Sequence, residues 1–389
     1  MNGYLVYLIT LSGIFGIFAL GLNLQWGFAG LINFGHVAFM TIGAYVTVLL
    51  TLQGFPLILA LAIGGAIAAI VGLLIGTSTL RLREDYLAIV TIGVSELFRL
   101  IANNEEWLTK GTFGIQEYPL PLENWQPGFL GKLIAIALLT IIAILAQWYL
   151  WQGLKPQLRK ERNIKGKKGQ SLKNLTPIIW LIIGTILIAS IYLSGTFALL
   201  DYRYKSGLML LVLLAVMLIY SSLEILMESP WGRIIKAIRE DEQVARALGK
   251  NVFWYKLQAF MLGGAIAGIA GAFLAWQLTT VYPTNFEPIV TFNAWIIVIL
   301  GGAGNNIGTL LGTIIFFAYM EITRSLPQLF QFLDLILGQF ISDISLADYF
   351  NDARLAALRI MIMGLILMMI MLWRPQGILG KESELNLDR

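Results

Sequence analysis

Residues 57–80 read LILALAIGGAIAAIVGLLIGTSTL, a run without a single charged side chain. A helix needs about 20 apolar residues to cross the hydrocarbon core of a bilayer, so this stretch predicts a membrane-spanning helix. An open sheet would leave backbone hydrogen-bonding groups unpaired in lipid. The run is also continuous, unlike the alternating strands of a transmembrane barrel. Residues 57–80 therefore favour an all-α membrane protein.

Comparable apolar runs recur through the 389 residues, which are 58% hydrophobic and only 13% charged. A soluble domain carries about 25% charged residues, so soluble enzymes, nucleic-acid-binding modules and secreted scaffolds are poor candidates. The predicted spans are 4–22, 28–50, 57–80, 86–102, 130–151, 177–199, 207–226, 256–277, 306–324 and 357–373. A shorter apolar piece at 291–300 is either a span or a re-entrant half-helix. The sequence thus predicts ten to eleven crossings in one transmembrane domain over residues 1–380.

Charge is distributed unevenly between the loops. The loops rich in Lys and Arg are 153–173 and 229–256, and the acidic ones are 103–129 and 325–355. Basic loops stay in the cytoplasm. With eleven crossings, we expect a basic cytoplasmic linker at 153–173, a periplasmic insertion at 325–355 and a polar cytoplasmic tail at 381–389. The first basic residue in the chain is Arg81, so the N-terminus has no positive charge to hold it in the cytoplasm and is expected outside. It also has no positive region of the kind that starts a signal peptide.

Small residues recur at four-residue spacing in three of the predicted spans. They are Gly64, Ala68, Gly72 and Gly76; Gly264, Gly268 and Ala272; and Gly308 and Gly312. In lipid, such stripes allow helix backbones to approach closely and supply the packing contacts between helices. They predict a multi-helix bundle and are silent about a substrate.

Segment 229–256 is amphipathic and lies between two predicted spans. Ser229 is a helix N-cap with Pro230 at the first helical position, and Gly249 closes the helix. The sequence predicts one uninterrupted helix over 230–248. Pairs at helical spacing are Lys236–Glu240, Arg239–Glu242 and Glu242–Arg246. Such a helix is either solvated at the membrane surface or docked in a groove of a cytoplasmic partner.

Several motifs in the chain resemble one family of membrane proteins. They are Ser229-Pro-Trp-Gly-Arg, Ala237-Ile-Arg-Glu-Asp-Glu, Ala247-Leu-Gly, Gly21-Leu-Asn-Leu, Gly27-Phe-Ala-Gly, Asn33-Phe-Gly-His-Val-Ala-Phe, Thr91-Ile-Gly-Val-Ser-Glu-Leu-Phe-Arg, Gly301-Gly-Ala-Gly and Arg374-Pro-Gln-Gly-Ile-Leu-Gly. Together they are similar to the permease subunits of ABC importers for branched-chain and other hydrophobic amino acids. Within that family the chain looks like the LivM-type subunit and its cyanobacterial neutral amino acid counterpart.

The resemblance implies a permease that forms half of a pathway across the bacterial inner membrane. Implied partners are a second homologous permease, two cytoplasmic ATPases and a periplasmic solute-binding protein. Segment 229–256 would contain a cytoplasmic coupling helix, with ATPase-coupling residues Arg239, Glu240, Asp241, Glu242, Ala245 and Gly249. The sequence has no G-x-x-x-x-G-K-[ST] loop, so we expect ATP and Mg²⁺ on the ATPases, and neither a cofactor nor an enzymatic activity in this chain.

Charged residues within spans are costly and suggest either function or local pairing. Glu96 with Arg99, and Glu321 with Arg324, are spaced three apart, which predicts two structural ion pairs. Uncharged polar and glycine residues suit a neutral or zwitterionic solute better, since broken helices expose backbone N–H groups to a carboxylate. The candidate pathway residues are Asn23, Gln25, Asn33, His36, Gly301, Gly302 and Asn305. One histidine and no cysteine make a metal cluster a poor expectation.

Other functions remain open at this level. A urea or short-amide importer of the same family would carry the same motifs. An ion-coupled secondary amino acid carrier would be expected to show a deep unpaired acid or inverted repeats. A channel is a weaker alternative. The sequence does not identify the transported solute.

Overall fold

The computed structural model describes residues 2–164, 176–327, 352–374 and 376–380. Residues 165–173 of the predicted basic linker lie outside these ranges, and so does the predicted tail 381–389. Most of the 325–355 insertion does so as well.

Helices dominate the described chain, and the bundle begins with α1 (Asn2–Leu22), a π-helix (Asn23–Phe28), α2 (Val37–Leu52), α3 (Leu57–Thr79), α4 (Glu84–Asn104) and the short α5 (Glu106–Thr109). A 3-10 turn (Gly111–Phe113) and β1 (Ile115–Gln116) follow, then α6 (Phe129–Ile164), α7 (Thr176–Leu200), α8 (Tyr204–Glu228), α9 (Pro230–Glu240), α10 (Glu242–Ala247) and α11 (Val252–Leu278). The chain continues with β2 (Thr280–Val281), a 3-10 turn (Pro283–Phe286), α12 (Ile289–Gly301), α13 (Asn306–Arg324) and α14 (Asp352–Trp373).

Within the described residues, 8 helical stretches are long and apolar enough to cross a membrane, judged by length and composition. They are Gly3–Phe28, Leu57–Thr79, Phe129–Gln152, Leu181–Leu200, Tyr204–Glu228, Val252–Leu278, Pro283–Gly301 and Asn306–Arg324. Two shorter apolar helices are Val37–Leu52 and Ala357–Met369. Each predicted span therefore contains a helix, and the all-α polytopic fold is confirmed. Helix α4 is not among the eight; it carries Glu84, Asp85, Glu96 and Arg99.

The described chain divides into two compact units, Met1–Trp295 and Ile296–Arg389. In the first unit, α1, α2, α3 and α11 pack against each other through glycines. A Cβ atom on Gly43 would lie 2.0 Å from the carbonyl oxygen of Gly268, and one on Gly271 would lie 2.0 Å from that of Met40. These backbones touch directly, as small-residue packing in lipid predicts. The expected single domain over 1–380 stays a prediction.

One end of α11 is held by the loop that follows α5. Strands β1 and β2 pair antiparallel, with Ile115 opposite Val281. The Tyr118 hydroxyl donates to the carbonyl of Ala275, and the Tyr204 hydroxyl donates to that of Trp276 at 2.8 Å. Burial raises the pKa of Tyr118 above its usual range, so this phenol keeps the proton that it donates. The C-terminal end of α11 is thus bound to the loop and to α8.

The predicted start of the second span was wrong. The span predicted at 28–50 starts as a helix only at Val37, because 29–36 forms turns in which Gly30 has a φ of +71°. Helix α6 extends to Ile164, so the first part of the predicted linker 153–173 is helical. Lys and Arg side chains are good helix formers, and charge alone does not end a helix that leaves the membrane.

Enlarging Gly43 should destabilise the bundle. We expect Gly43→Ala to cost about 1–3 kcal/mol, since the added methyl overlaps the carbonyl of Gly268 and the backbones must separate. The measurement is the Tm of the detergent-purified chain. Gly93→Ala is the control, because no atom lies within 4 Å of a Cβ placed at Gly93. Equal Tm values for the two variants would contradict the packing argument.

Candidate functional site

A π-helix at Asn23–Phe28 continues α1 and carries two of the candidate pathway residues, Asn23 and Gln25, both fully buried. π-helical turns are rare and occur frequently at functional sites. The Gln25 side-chain amide donates to the carbonyl of Phe260 in α11 at 2.8 Å. Its carbonyl oxygen accepts from the Asn33 amide, also at 2.8 Å. Gln25 therefore joins the π-helix to α11 and to the turn that precedes α2.

Asn33 organises that turn. Its side-chain oxygen accepts from the Gly35 N–H at 2.9 Å, and its backbone carbonyl accepts from the Trp295 indole at 3.1 Å. A Cβ atom on Gly35 would lie 1.9 Å from the carbonyl of Thr91, so α4 touches the turn here. The structure thus brings Gln25 and Asn33 together, as their clustering in the sequence suggested.

Two threonine hydroxyls complete the network, and neither residue is among the candidates predicted from the sequence. Thr91 accepts a hydrogen bond from the Phe34 N–H at 3.2 Å, and Thr291 accepts one from the Val37 N–H at 2.9 Å. The Val37 N–H lies at the start of α2, where a helix has no backbone partner for its first donors, and the Phe34 N–H lies in the turn before it. Thr91 was visible in the quoted motif, but Thr291 lies 254 residues from its partner and only the fold reveals it.

His36 is buried between aromatic rings. Its Nε2 lies 3.2 Å from the carbonyl oxygen of Phe18, and its ring centroid lies 4.7 Å from that of Phe18 and 5.9 Å from that of Phe39. A Cβ atom on Gly21 would approach the same ring at 3.1 Å. His36 therefore packs α1 against α2, and a role in a pathway stays a prediction.

In the second unit, the break at Gly301–Gly304 is filled by the chain's own later residues. The Ile378 and Leu379 N–H groups donate to the carbonyls of Leu300 and Gly301 at 3.0 and 3.1 Å. Asn305 caps α13, accepting from the Gly308 N–H at 3.0 Å, and its amide donates to the Leu379 carbonyl at 2.8 Å. Gly301, Gly302 and Asn305 thus form a local clamp; a role in a pathway stays a prediction.

Glu96 and Arg99 form an ion pair on α4, with the Arg99 Nε 2.9 Å from a Glu96 carboxylate oxygen. An open groove of about 450 Å³ runs beside them and is lined by Gly93, Glu96, Leu97, Leu100, Ile101, Asn104 and Glu105. These residues all belong to α4 and its C-terminal cap, so the groove is a feature of the helix surface. Glu321 and Arg324 lie in the last turn of α13, and their mutual pairing stays a prediction.

The uninterrupted helix predicted over 230–248 is wrong, because the chain breaks at Asp241. Its φ and ψ of −153° and 108° are extended, and its carboxylate accepts from the N–H groups of Gln243 and Val244 at 2.8 and 3.0 Å. Asp competes for helix-start positions by capping in this way. The predicted ends hold: Ser229 caps α9, and Gly249 follows α10 with a φ of +76°.

The two short helices form a compact platform. Ile238, Ala245 and Val252 make a small buried core, against which Ile234 and Tyr255 pack. Glu242 binds Arg246 at 3.1 Å and Lys256 at 3.0 Å, so the i,i+4 pair is formed. On the outside, Val244 is 55% exposed and Leu248 is 73% exposed. The platform thus presents an apolar edge beside the charged residues Glu240, Asp241 and Arg246.

Arg239 points away from this edge, toward the π-helix. Its guanidinium donates to the carbonyl oxygen of Gly27. The helical spacing predicted for Arg239 and Glu242 is interrupted at Asp241, and their pairing stays a prediction. Lys236 donates to the Met227 carbonyl at 3.3 Å and lies 5.6 Å from the centre of the Phe28 ring, and its predicted pairing with Glu240 stays a prediction. The platform is therefore attached to the buried network as well as to its own helix neighbours.

Apolar helices around a buried polar network, with an amphipathic platform between two spans, define a polytopic membrane protein. A model of the family described as "Branched-chain amino acid transport system / permease component" matches residues 4–154 and 183–372. The chain belongs to this family.

Curated relatives agree with this assignment. The chain is 29% identical over 378 residues to the high-affinity branched-chain amino acid transport system permease protein LivM of Escherichia coli (strain K12), covering 96% of this chain and 69% of that protein. The corresponding protein of Salmonella typhimurium is 27% identical with the same coverage. A probable LivM permease of Methanocaldococcus jannaschii is 24% identical, covering 95% of this chain and 91% of that protein. No solved structure matches the chain.

Replacing Gln25 tests the buried network. We expect Gln25→Leu to cost about 1–3 kcal/mol, since it removes the hydrogen bonds to Phe260 and Asn33 and leaves the buried Asn33 amide without this acceptor. The measurement is the Tm of the purified chain in detergent. Gln53→Leu, the same change at an exposed position, is the control. A network without energetic weight would give both variants the same Tm.

Proposed function

We propose that this chain is the LivM-type permease subunit of an ABC importer for branched-chain and other neutral amino acids. In this proposal it forms half of the translocation pathway in the inner membrane. A homologous permease supplies the other half, a periplasmic solute-binding protein delivers the amino acid, and two cytoplasmic ATPases supply the energy. The chain itself hydrolyses no ATP and holds no cofactor. Family membership supports the class of transporter, and the names of the relatives support the substrate class.

The platform of α9 and α10 is the observation that carries the proposal of ATPase coupling. Its inner side is fixed by the Ile238–Ala245–Val252 core and by the Glu242–Lys256 ion pair. Its outer edge exposes Val244 and Leu248 among charged residues. A rigid element with exposed apolar anchors suits insertion into a groove of a partner, because little conformational entropy is lost on docking. A solvated surface helix has no need of such anchors.

The orientation also belongs to the proposal. For the platform to meet cytoplasmic ATPases, segment 229–256 must lie inside, and the acidic loop 103–129 must lie outside. This arrangement is supported by the charge of the loops, because segment 229–256 is rich in Lys and Arg and basic loops stay in the cytoplasm. The N-terminus is then periplasmic and the C-terminus cytoplasmic.

Cysteine labelling tests the orientation directly, since the chain contains no cysteine. Leu248→Cys and Phe113→Cys introduce thiols at residues that are 73% and 77% exposed. In intact spheroplasts, a membrane-impermeant maleimide should label the Phe113→Cys variant and should reach the Leu248→Cys variant only after the membrane is permeabilised. The reverse pattern would overturn the proposed orientation.

Charge on the apolar edge tests the docking role. We expect Leu248→Asp to reduce both capture of the ATPase subunits and ATP-driven uptake of labelled leucine by about tenfold or more, as for a buried interface anchor. Because the Leu248 side chain is exposed, the variant should insert and fold normally. Phe113→Asp makes the same change on the loop predicted to lie outside, and should leave ATPase capture unchanged.

The same assay tests the substrate class. Proteoliposomes that contain the wild-type complex should take up leucine only when ATP is present on the side of the membrane where the ATPases lie. Uptake of labelled urea in place of leucine would favour the amide-importer alternative. Leucine uptake by this chain alone, driven by an ion gradient, would instead establish a secondary carrier.

A further inference from the structure

The end of the π-helix meets a cation from outside the helix. The last carbonyl groups of a helix have no partner within it and carry a partial negative charge, so they attract Lys and Arg side chains. Gly27 lies in the last turn of the π-helix and is buried, and its carbonyl oxygen accepts from the Arg239 guanidinium. Arg239 lies in the last turn of α9. A single side chain therefore joins the ends of two helices that are separated by 212 positions in the sequence.

The surroundings are shaped for this contact. A Cβ atom on Gly30 would lie 3.5 Å from the Arg239 Cγ, so the turn after the π-helix packs along the aliphatic part of the arginine. Gly30 has a φ of +71°, a conformation that side-chain-bearing residues rarely adopt. One turn earlier on α9, the Lys236 ammonium lies 5.6 Å from the centre of the Phe28 ring. Two cations of α9 thus hold two adjacent residues of the π-helix.

The same π-helix holds the buried network. Gln25, two residues before Gly27, bonds the Phe260 carbonyl of α11 and the Asn33 amide. A Cβ atom on Gly263 would lie 2.6 Å from the Gln25 Cγ, so this side chain fits tightly against α11. Displacing α9 therefore pulls on the Gly27 carbonyl, and through the short π-helix on Gln25 and Asn33.

From this geometry we infer that Arg239 is a positioning residue that transmits movement of α9 to the π-helix and its Gln25–Asn33 network, and is not an ATPase-contacting residue. The inference rests on the proposed function, because it assumes that an ATPase moves α9. It divides the platform into two parts with separate roles. The edge at Val244 and Leu248 receives the partner, and Arg239 connects the platform to the end of the first span.

Arginine has the properties that such a connection requires. Its guanidinium stays charged at all physiological pH values and has several donors in a rigid plane, so the contact can persist while the two helices change their angle. Lysine keeps the charge but has a shorter reach and a point-like donor. Arg239→Lys should therefore be intermediate, and Arg239→Ala should lose the connection.

Two measurements on the full chain test the inference. The first is hydrogen exchange of residues 23–33 in lipid nanodiscs, which needs no partner. Arg239→Ala should raise amide exchange there about tenfold, because the π-helix loses an outside contact. Arg233→Ala is the matched control, since Arg233 lies on the same helix and donates to the carbonyl of Glu228, the last residue of α8, at 3.3 Å and not to the π-helix. Unchanged exchange in Arg239→Ala would overturn the inference.

The second measurement is the number of leucine molecules taken up per ATP hydrolysed by the reconstituted complex. We expect Arg239→Ala to lower this ratio about tenfold while ATPase capture and hydrolysis stay near wild type, which is the signature of lost coupling. Arg239→Lys should have a ratio between those of Arg239→Ala and wild type, and Arg233→Ala should have the wild-type ratio. A proportional loss of uptake and hydrolysis would place Arg239 at the ATPase contact and overturn the inference.

These outcomes separate the inference from the proposed function. If the wild-type complex shows no ATP-dependent uptake, the proposed function fails, and the exchange measurement still decides whether Arg239 holds the π-helix. If wild type transports and Arg239→Ala keeps the wild-type ratio, the proposed function stands and the transmission role is wrong. If Arg239→Ala does not assemble, Arg239→Lys decides: a ratio equal to wild type in that variant, together with unchanged exchange, overturns the inference.

Discussion

Direct contact between helix backbones is the constraint on which the first unit depends. Lipid offers no hydrophobic drive for helices to associate, so the contact must come from close packing. Gly43 against Gly268 and Gly271 against Met40 bring α2 and α11 together without intervening side chains. Little space remains for water between these backbones, which favours hydrogen bonds between buried polar groups of the protein. The buried hydrogen bonds of Gln25 and Asn33 follow from the same close approach.

This combination explains why the π-helix lies where it does. A regular α-helix through residues 23–28 would present its side chains and its last carbonyl groups in other directions. The π-helical turn contains Gly27 and is followed by a turn at Gly30. It places Gln25 against α11 and leaves the Gly27 carbonyl to accept a hydrogen bond from Arg239. The polar residues of the motif thus hold together three parts of the fold: α11, the turn before α2, and the platform. Their positions are set by hydrogen bonds that only this backbone allows.

The sequence predicted the helices well because apolar length is a property of each segment alone. Every predicted span contains a helix, and the N-cap at Ser229 and the end at Gly249 are where the local signals place them. Prediction failed where two local signals compete or where a distant partner decides. Asp241 is compatible with a helix interior but caps α10 instead. Arg239 has Glu242 three positions away and also donates a hydrogen bond to the Gly27 carbonyl, 212 positions away. Thr291 accepts a hydrogen bond from the Val37 N–H across 254 positions. No pattern within one segment contains those contacts.

Helix α11 is bound differently at its two ends. Its 27 residues make it about 40 Å long. The end near Ala275 and Trp276 is tied to Tyr118 and Tyr204 and continues into the β1–β2 pair, while the end near Val252 belongs to the platform. A rigid helix that is fixed at one end rotates about that end when the other end is pushed. A rotation of about 5° about the end held by the tyrosines then displaces the other end by about 3–4 Å over this length, with the largest displacement at the platform and almost none at the β pair.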